Sequence, residues 1–239
     1  MVLALVLAES ALQLVPKEIQ GHPQIKQYAR RRQKTPDQVL LDRAFHNTAM
    51  RRLTRAHYPI PAEKMGRPDI VHNTLLQVLE TPLNWEDHLQ VFVHTQDDHT
   101  IWVNSKVRLP KNYTRFVGLI EQLFHDKQVP DRGDPLLRLE RATLLQLVRR
   151  IMPTKVLGFS TLGRPLLMRN VAESAAKLKK PMVMIGGFPR GHFSEKTRQL
   201  MDETYSVDRE PLDAWVVAGR FIYDFEWSIG LAEKRIKPA

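Results

Sequence analysis

Three stretches of this 239-residue chain combine residue types and spacings that could do chemistry. The first is Arg67-Pro68-Asp69-Ile70. Proline stiffens the approach to a helix, and a carboxylate two residues beyond an arginine can hold the guanidinium in one orientation. Equally, Asp69 could be a simple helix cap and Arg67 a surface residue. The second stretch is Asn104-Ser105-Lys106-Val107-Arg108-Leu109-Pro110-Lys111-Asn112-Tyr113-Thr114-Arg115-Phe116. Arg108, Lys111 and Arg115 recur at three- and four-residue spacing and project together if the loop is partly helical. Cations at a helix start oppose its dipole unless an anion joins them. Phosphate binding is therefore a better account than a solvated charge run. The third is Ile185-Gly186-Gly187-Phe188-Pro189-Arg190-Gly191, directly after an apolar run. Its glycines permit unusual backbone angles and close ligand approach. It is neither G-x-G-x-x-G nor a P-loop, because the spacing differs, Pro189 interrupts, and the Lys-Ser/Thr pair is missing.

Other arrangements carry less. His94 and His99 flank Asp97 and Asp98 like metal ligands, yet a hairpin tip explains the same pattern, and no metal is expected. His46 lies on a helical pattern without a ligand partner at i+4. There is no Gly-x-Ser-x-Gly elbow for a Ser-His-Asp hydrolase. The chain has no cysteine. That excludes disulfides, thiolate zinc sites and cysteine attack on a pyrimidine ring, so any methylated base must offer its own nucleophilic atom.

The charge is uneven. The net charge is +10. Between Lys26 and Arg67, eleven Lys or Arg face only Asp37, Asp42 and Glu63, and Lys106, Arg108, Lys111 and Arg115 add four more. These two clusters exceed the whole net charge, so the remainder is slightly acidic. Such concentration points to a phosphate-tracking face, although for any single arginine a solvated helix face is as good an account.

The elements that must position these residues alternate between apolar runs and helical patterns, which reads as an α/β fold. Strands are expected at Val2–Leu7, Val39–Leu41, Leu89–Thr95, Thr100–Asn104, Lys155–Phe159 and Pro181–Ile185, with a hairpin turn at 96–99. Helices are expected at His22–Lys34, Ala44–Arg55, Ile70–Leu79, Tyr113–His125, Ala142–Ile151 and Leu166–Lys179, and from Pro211 to about Trp227. The polar stretch Asp126–Pro135 is the best internal boundary, without being a domain linker. The opening run is read as a buried strand and not as a signal peptide, since it lacks a basic lead-in and meets Glu9 early. No apolar run reaches the ~20 residues of a membrane span, and a cytoplasmic setting is expected.

Taken together, Arg67-Pro-Asp-Ile, Val107-Arg-Leu-Pro-Lys-Asn-Tyr-Thr-Arg-Phe and Ile185-Gly-Gly-Phe-Pro-Arg-Gly resemble the pseudouridine-N1 methyltransferases of ribosome biogenesis, the Nep or Emg family. Glu9-Ser-Ala-Leu-Gln-Leu-Val-Pro and Leu41-Asp-Arg-Ala-Phe-His-Asn-Thr-Ala-Met also fit, in the family's order and without long insertions, as in archaeal members. The resemblance implies a SPOUT fold. This is an α/β sheet with helices on both faces and a C-terminal trefoil knot, here one domain over 1–239 with a basic extension within about 20–115. It implies a homodimer that binds S-adenosylmethionine without metal and methylates N1 of a pseudouridine in small-subunit ribosomal RNA, with ribosomal proteins or assembly factors as further partners.

The resemblance places the cofactor against Phe159, Gly186, Gly191 and the loop Val207, Asp208, Arg209, Glu210, Pro211, Leu212. It places RNA against Arg67, Arg108, Lys111 and Arg115, with Arg67 and Asp69 as the catalytic pair and Asp69 steadying the guanidinium. Lys111 departs from the arginine often found there and gives up the bidentate fork. Two other functions fit the same residues: ribose 2′-oxygen methylation, or an assembly factor whose RNA binding matters more than catalysis.

Overall fold

The computed structural model describes residues 2–55 and 58–236, so the domain expected over 1–239 reaches beyond them at both ends. Alternation with period two builds its centre. In β1 (Leu3–Ser10), Leu3, Leu5 and Leu7 enter one core while Ala4, Val6 and Ala8 enter another. The strand is buried along its whole length, as expected of a central strand with parallel neighbours on both sides. The remaining strands are β2 (Leu89–Thr95), β3 (His99–Val103), β4 (Gln128–Val129), β5 (Leu137–Arg141), β6 (Lys155–Pro165), β7 (Pro181–Gly186) and β8 (Glu203–Ser206). They form one eight-stranded sheet in the order β4-β5-β3-β2-β1-β7-β6-β8. Pairing is parallel from β2 through β1, β7 and β6 to β8, and antiparallel through β3, β5 and β4.

The helices of eight or more residues are α1 (Pro23–Arg31), α2 (Arg43–Arg55), α3 (Pro68–Leu79), α4 (Tyr113–Asp126), α5 (Leu144–Ile151), α6 (Met168–Ala176) and α7 (Ala214–Ser228). Apolar faces of α3, α4, α6 and α7 cover one side of the sheet, and α5 packs on the other with Phe92, Val156, Met182 and Met184. Among the described residues no helix is long and apolar enough to cross a membrane.

The connection from β1 to α3 has a core of its own, built from Val15, Ile19, Ile25, Ala29, Val39, Leu41, Ala49, Met50, Leu53 and Met65. It carries the first basic cluster, whereas residues 68–115 belong to the main layers. Glu121 of α4 docks it. This carboxylate has a fully buried side chain and accepts from Arg32 Nη2 (2.8 Å), Lys34 Nζ (2.6 Å) and the Leu40 backbone N–H (3.0 Å).

Several elements differ from those expected. Val39–Leu41 is no strand, because only Leu40 makes a bridge, to Leu14, and its N–H goes to Glu121. Strand β5 carries charges at alternate positions of a strand near the sheet's edge, with only Leu137 and Leu139 directed inward, so its pattern resembles a polar loop. The polar stretch 126–135 contains β4, paired to β5 within the same sheet. The last helix starts not at Pro211 but at Ala214, behind the N-cap Asp213. Near its middle, β6 leaves the ladder and returns. Phe159 and Arg164 both pair with Tyr205, and a Cβ on Gly163 would lie 2.6 Å from the Tyr205 backbone. Only glycine permits that approach.

Replacing Glu121 by alanine strands two cations and a backbone donor in the docking seam. Loss of one partner of such a buried pair costs about 3–5 kcal/mol. Urea unfolding of Glu121→Ala should show a loss of that size; a change under about 1 kcal/mol would mean the seam is wet and the carboxylate dispensable.

Candidate functional site

The carboxyl ends of β6, β7 and β8 open into a cavity of about 360 Å³. That volume is in the range of small-molecule sites, and such a crevice beyond parallel strand ends is where open α/β sheets bind ligands. Its wall contains Phe159, Gly186, Gly191, Val207, Asp208, Glu210, Pro211 and Leu212 from the expected set, while Arg209 is not part of it. Ser160, Thr161, Ile185, Phe188, Pro189, Arg190, His192, Phe193, Tyr205, Ser206, Ala214 and Val217 complete it. Tyr205 and Phe193 are buried side chains whose cavity role has no motif to announce it.

The geometry of the wall follows from its segments. Gly191 has φ +85°, in the left-handed region. The backbone N–H of Gly187 donates to Ala8 O (2.9 Å), and its carbonyl accepts from the Ala11 N–H (2.8 Å), which binds the glycine loop to the end of β1. Pro211 and Leu212 precede α7 outside the helix and line the wall. Aliphatic Ile185, Leu212, Ala214 and Val217 suit a flat, weakly polar ring system. Exposed carboxylates at Asp208 and Glu210 face a polar or cationic portion of the same ligand, and Arg190 faces an anionic one. An adenosine bearing a charged amino-acid tail presents those three features.

Arg67 and Asp69 form a bidentate pair, Nε to Oδ1 at 2.8 Å and Nη2 to Oδ2 at 2.7 Å. Both side chains are 36% exposed, so the pair adds at most about 1 kcal/mol to stability. Its consequence is orientation. Arg67 itself is the N-cap residue of α3, without a capping side-chain bond, and Asp69 lies in the first turn. The hydrogen bond to Asp69 holds the guanidinium's pKa above its ordinary value. Arg43 at the start of α2 is shifted the other way, by burial first and then by the charges of Arg67 and Arg190. Arg43 thus lies within electrostatic reach of both Arg67 and Arg190, and Arg190 lines the cavity. Of these, Arg190 was visible only as part of the glycine motif.

Arg108, Lys111 and Arg115 are exposed and do not line this cavity. The loop that carries Arg108 and Lys111 is tied back to α3. His72 meets Pro110 O at 2.7 Å and stacks on Phe116 with ring centroids 4.3 Å apart. Asn112 caps α4 by accepting from the Arg115 N–H (3.0 Å). Tyr113 donates to Asp42 of the extension. Asp42 in turn accepts from the Ala44 N–H (2.8 Å), and its own N–H donates to His46 Nδ1 (3.0 Å). Burial raises the Asp42 pKa; the bonds from Tyr113 and Ala44 oppose this, while the charge of Asp69 adds to it. His46 sits fully buried against the Tyr28 ring, centroids 4.6 Å apart at 87°.

The His94–His99 segment is a hairpin. His94 Nε2 lies 3.3 Å from Asp98 Oδ1, and His99 Nδ1 lies 3.3 Å from Asp97 Oδ1, as two separate pairs. Among the described residues no group of three metal-binding side chains converges.

A sequence profile described as EMG1/NEP1 methyltransferase matches residues 5–226. The chain is 42% identical over 227 residues to the ribosomal RNA small subunit methyltransferase Nep1 of Pyrococcus furiosus, covering 95% of this chain and 97% of that protein. It is also 42% identical over 228 residues to the protein of the same name from Pyrobaculum islandicum, covering 95% and 98%. Among solved structures, Archaeoglobus fulgidus Nep1 bound to S-adenosylhomocysteine superposes with a TM-score of 0.81 at 35% identity, covering 95% of this chain and 99% of that one.

The buried histidine generates a pH test. Burial, with a smaller contribution from Arg32, depresses the His46 pKa from 6.5 to about 4. The unfolded chain therefore binds the proton first, and the stability in question is complete above pH 6.5 and declines as pH falls toward 4. Unfolding free energy should drop by about 2–3 kcal/mol across that window, and His46→Phe should flatten that part of the curve. An unchanged profile in the variant would remove His46 as the cause.

Proposed function

The chain belongs to the EMG1/NEP1 methyltransferase family, and from that premise we propose that it methylates N1 of a pseudouridine in small-subunit ribosomal RNA. It is an S-adenosylmethionine-dependent methyltransferase of that RNA. The observation that carries the reading is the cavity at the strand ends, lined by Arg190, with Arg43 within electrostatic reach of both Arg190 and Arg67.

Bound in that cavity, S-adenosylmethionine supplies an electrophilic methyl carbon on a sulfonium. Phe159, Ile185, Leu212 and Val217 hold the adenosine, and the glycine loop and residues 207–212 close around it. Arg108, Lys111 and Arg115 bind backbone phosphates as the RNA approaches. Arg67, held in one orientation by Asp69, binds next to the target nucleotide, which is turned out of its stack so that its N1 edge faces the cavity. The rate comes from alignment of nucleophile and donor. Both Asp69 oxygens accept from the guanidinium, and a proton taken there would weaken the pair that orients Arg67, which argues for an orienting role over a general base. The doubled pairing of β6 on Tyr205 supports a trefoil path for the C-terminal segment. Exposed Tyr223 and Trp227, with rings 6.4 Å apart, offer an apolar patch for a homodimer to cover. The whole chain then works as one domain.

Incubation with labelled S-adenosylmethionine and a pseudouridine hairpin should yield a methylated base by mass spectrometry of the digest, and the uridine hairpin should yield none. Label on a ribose would replace this reading with 2′-oxygen chemistry.

Arg67→Ala should cut methylation by about 10- to 100-fold, the worth of a charge-assisted contact, while S-adenosylhomocysteine affinity moves far less. Equal losses in both would take Arg67 off the RNA side. Arg108→Ala should weaken RNA binding and reduce the log–log salt slope by about one unit; an unaltered slope would sink the phosphate assignment.

A further inference from the structure

The glycine loop that walls the donor cavity is braced from behind by a residue of the basic extension. Lys64 sits in the short turn Ala62–Lys64, three positions before Arg67. Its side chain is 15% exposed and makes an ion pair with Glu9 Oε2 at 3.3 Å. The same ammonium donates to the backbone carbonyl of His192 and lies over the Phe188 ring, 4.4 Å from its centroid. Lys64 Cε would be 3.2 Å from a Cβ at Gly191. Phe188, Gly191 and His192 all line the donor cavity, and Lys64 does not.

The other end of the loop is anchored by the same carboxylate. Glu9 Oε1 accepts from the Ser194 N–H at 2.8 Å. Glu9 is buried at the end of β1 with φ +51°, a strained angle for a residue with a side chain. Burial raises its pKa, but the bonds from Ser194 and Thr197 and the charge of Lys64 outweigh this and leave it lowered. Glu9, Lys64 and Ser194 also line a second cavity of about 670 Å³, together with His94 and Leu144. Phe193 is buried in the second core and Phe188 packs on it, so apolar packing holds one side of residues 188–193; the ammonium and the carboxylate hold the side that faces the extension.

We propose that Lys64 is a positioning residue for the methyl donor, holding residues 188–193 in the shape that closes the cavity and tying that shape to the segment bearing Arg67. The Arg67 N–H donates to Ala11 O (3.1 Å), and the Ala11 N–H donates to Gly187 O (2.8 Å). The donor wall and the Arg67 main chain are therefore two ends of one short hydrogen-bonded chain. The proposal rests on the methyltransferase reading above.

The test uses the full chain with S-adenosylhomocysteine in calorimetry. Lys64→Met keeps the unbranched apolar stem over Phe188 and deletes the charge and its donors. It should weaken the ligand about tenfold, roughly one lost charge-assisted hydrogen bond, and Lys64→Arg should restore most of that. Steady-state kinetics should place the loss in KM for S-adenosylmethionine, with RNA affinity unmoved. In the unliganded protein, trypsin should cut after exposed Arg190 faster in Lys64→Met than in wild type. Wild-type affinity in Lys64→Met overturns the proposal, as do equal losses in ligand affinity, RNA affinity and thermal stability. If Lys64→Met fails to fold, the Glu9→Gln, Lys64→Met double variant, which leaves no unpaired carboxylate, carries the same readouts. Absence of binding by the wild type would instead defeat the functional reading itself.

Discussion

Carboxylates withdrawn from water hold this molecule's positive charge in place. The extension between β1 and α3 brings a dense set of lysines and arginines that repel one another, and its own apolar core is small. Its attachment to the sheet runs through three acidic side chains. Glu121 takes Arg32, Lys34 and the Leu40 N–H. Asp42 takes Tyr113 from α4. Glu9 takes Lys64 and the Ser194 N–H. Each carboxylate is buried, yet each has donors for both oxygens, which is the condition under which a buried charge is tolerated. Of the remaining cations, Arg67 is paired with Asp69, while Arg43 still feels the like charges of Arg67 and Arg190. A polyanion relieves that repulsion.

The cavity depends on the same anchoring. Parallel strands β1, β7 and β6 end together, and the segments beyond them must diverge to leave a crevice. Phe159 and Phe221 pack at its base, centroids 5.5 Å apart, and the glycine loop stands over it. Aromatic packing fixes the base and, through Phe188 and Phe193, one side of the loop, while hydrogen bonds to β1 and to the extension fix its other side. The site thus joins a close-packed core to a polar scaffold.

Much of this is legible in the sequence, unevenly. Continuous apolar runs at the central strands and the amphipathic periods of α3, α4 and α6 carry their own evidence, because each buries a face or a whole strand. Strand β5, next to the sheet's edge, does not, since three of its five residues, Arg138, Glu140 and Arg141, are charged and only Leu137 and Leu139 point inward. Short β8 has four residues and no apolar run. Arg67 and Asp69 could be read as a pair because their partners are two positions apart. The partnerships of Lys64 with Glu9 and His192, and of Glu121 with Arg32 and Lys34, span from tens of residues to more than a hundred. Nothing in spacing or composition can announce those. Motif reasoning reached residues that line the cavity and missed the residues that hold its wall.

That asymmetry bears on mechanism. Asp69 has both oxygens committed to Arg67, and Asp42, whose pKa burial raises, has its oxygens committed to Tyr113 and Ala44. Each oxygen keeps a second lone pair, but a proton taken on either carboxylate would weaken a bond that positions something else. Together with the absence of a cysteine to attack the ring, this favours orientation as the main means of catalysis in the proposed reaction. Orientation over a few ångströms needs rigid supports. The buried acids supply them, which makes the residues farthest from the reacting atoms the ones on which the alignment rests.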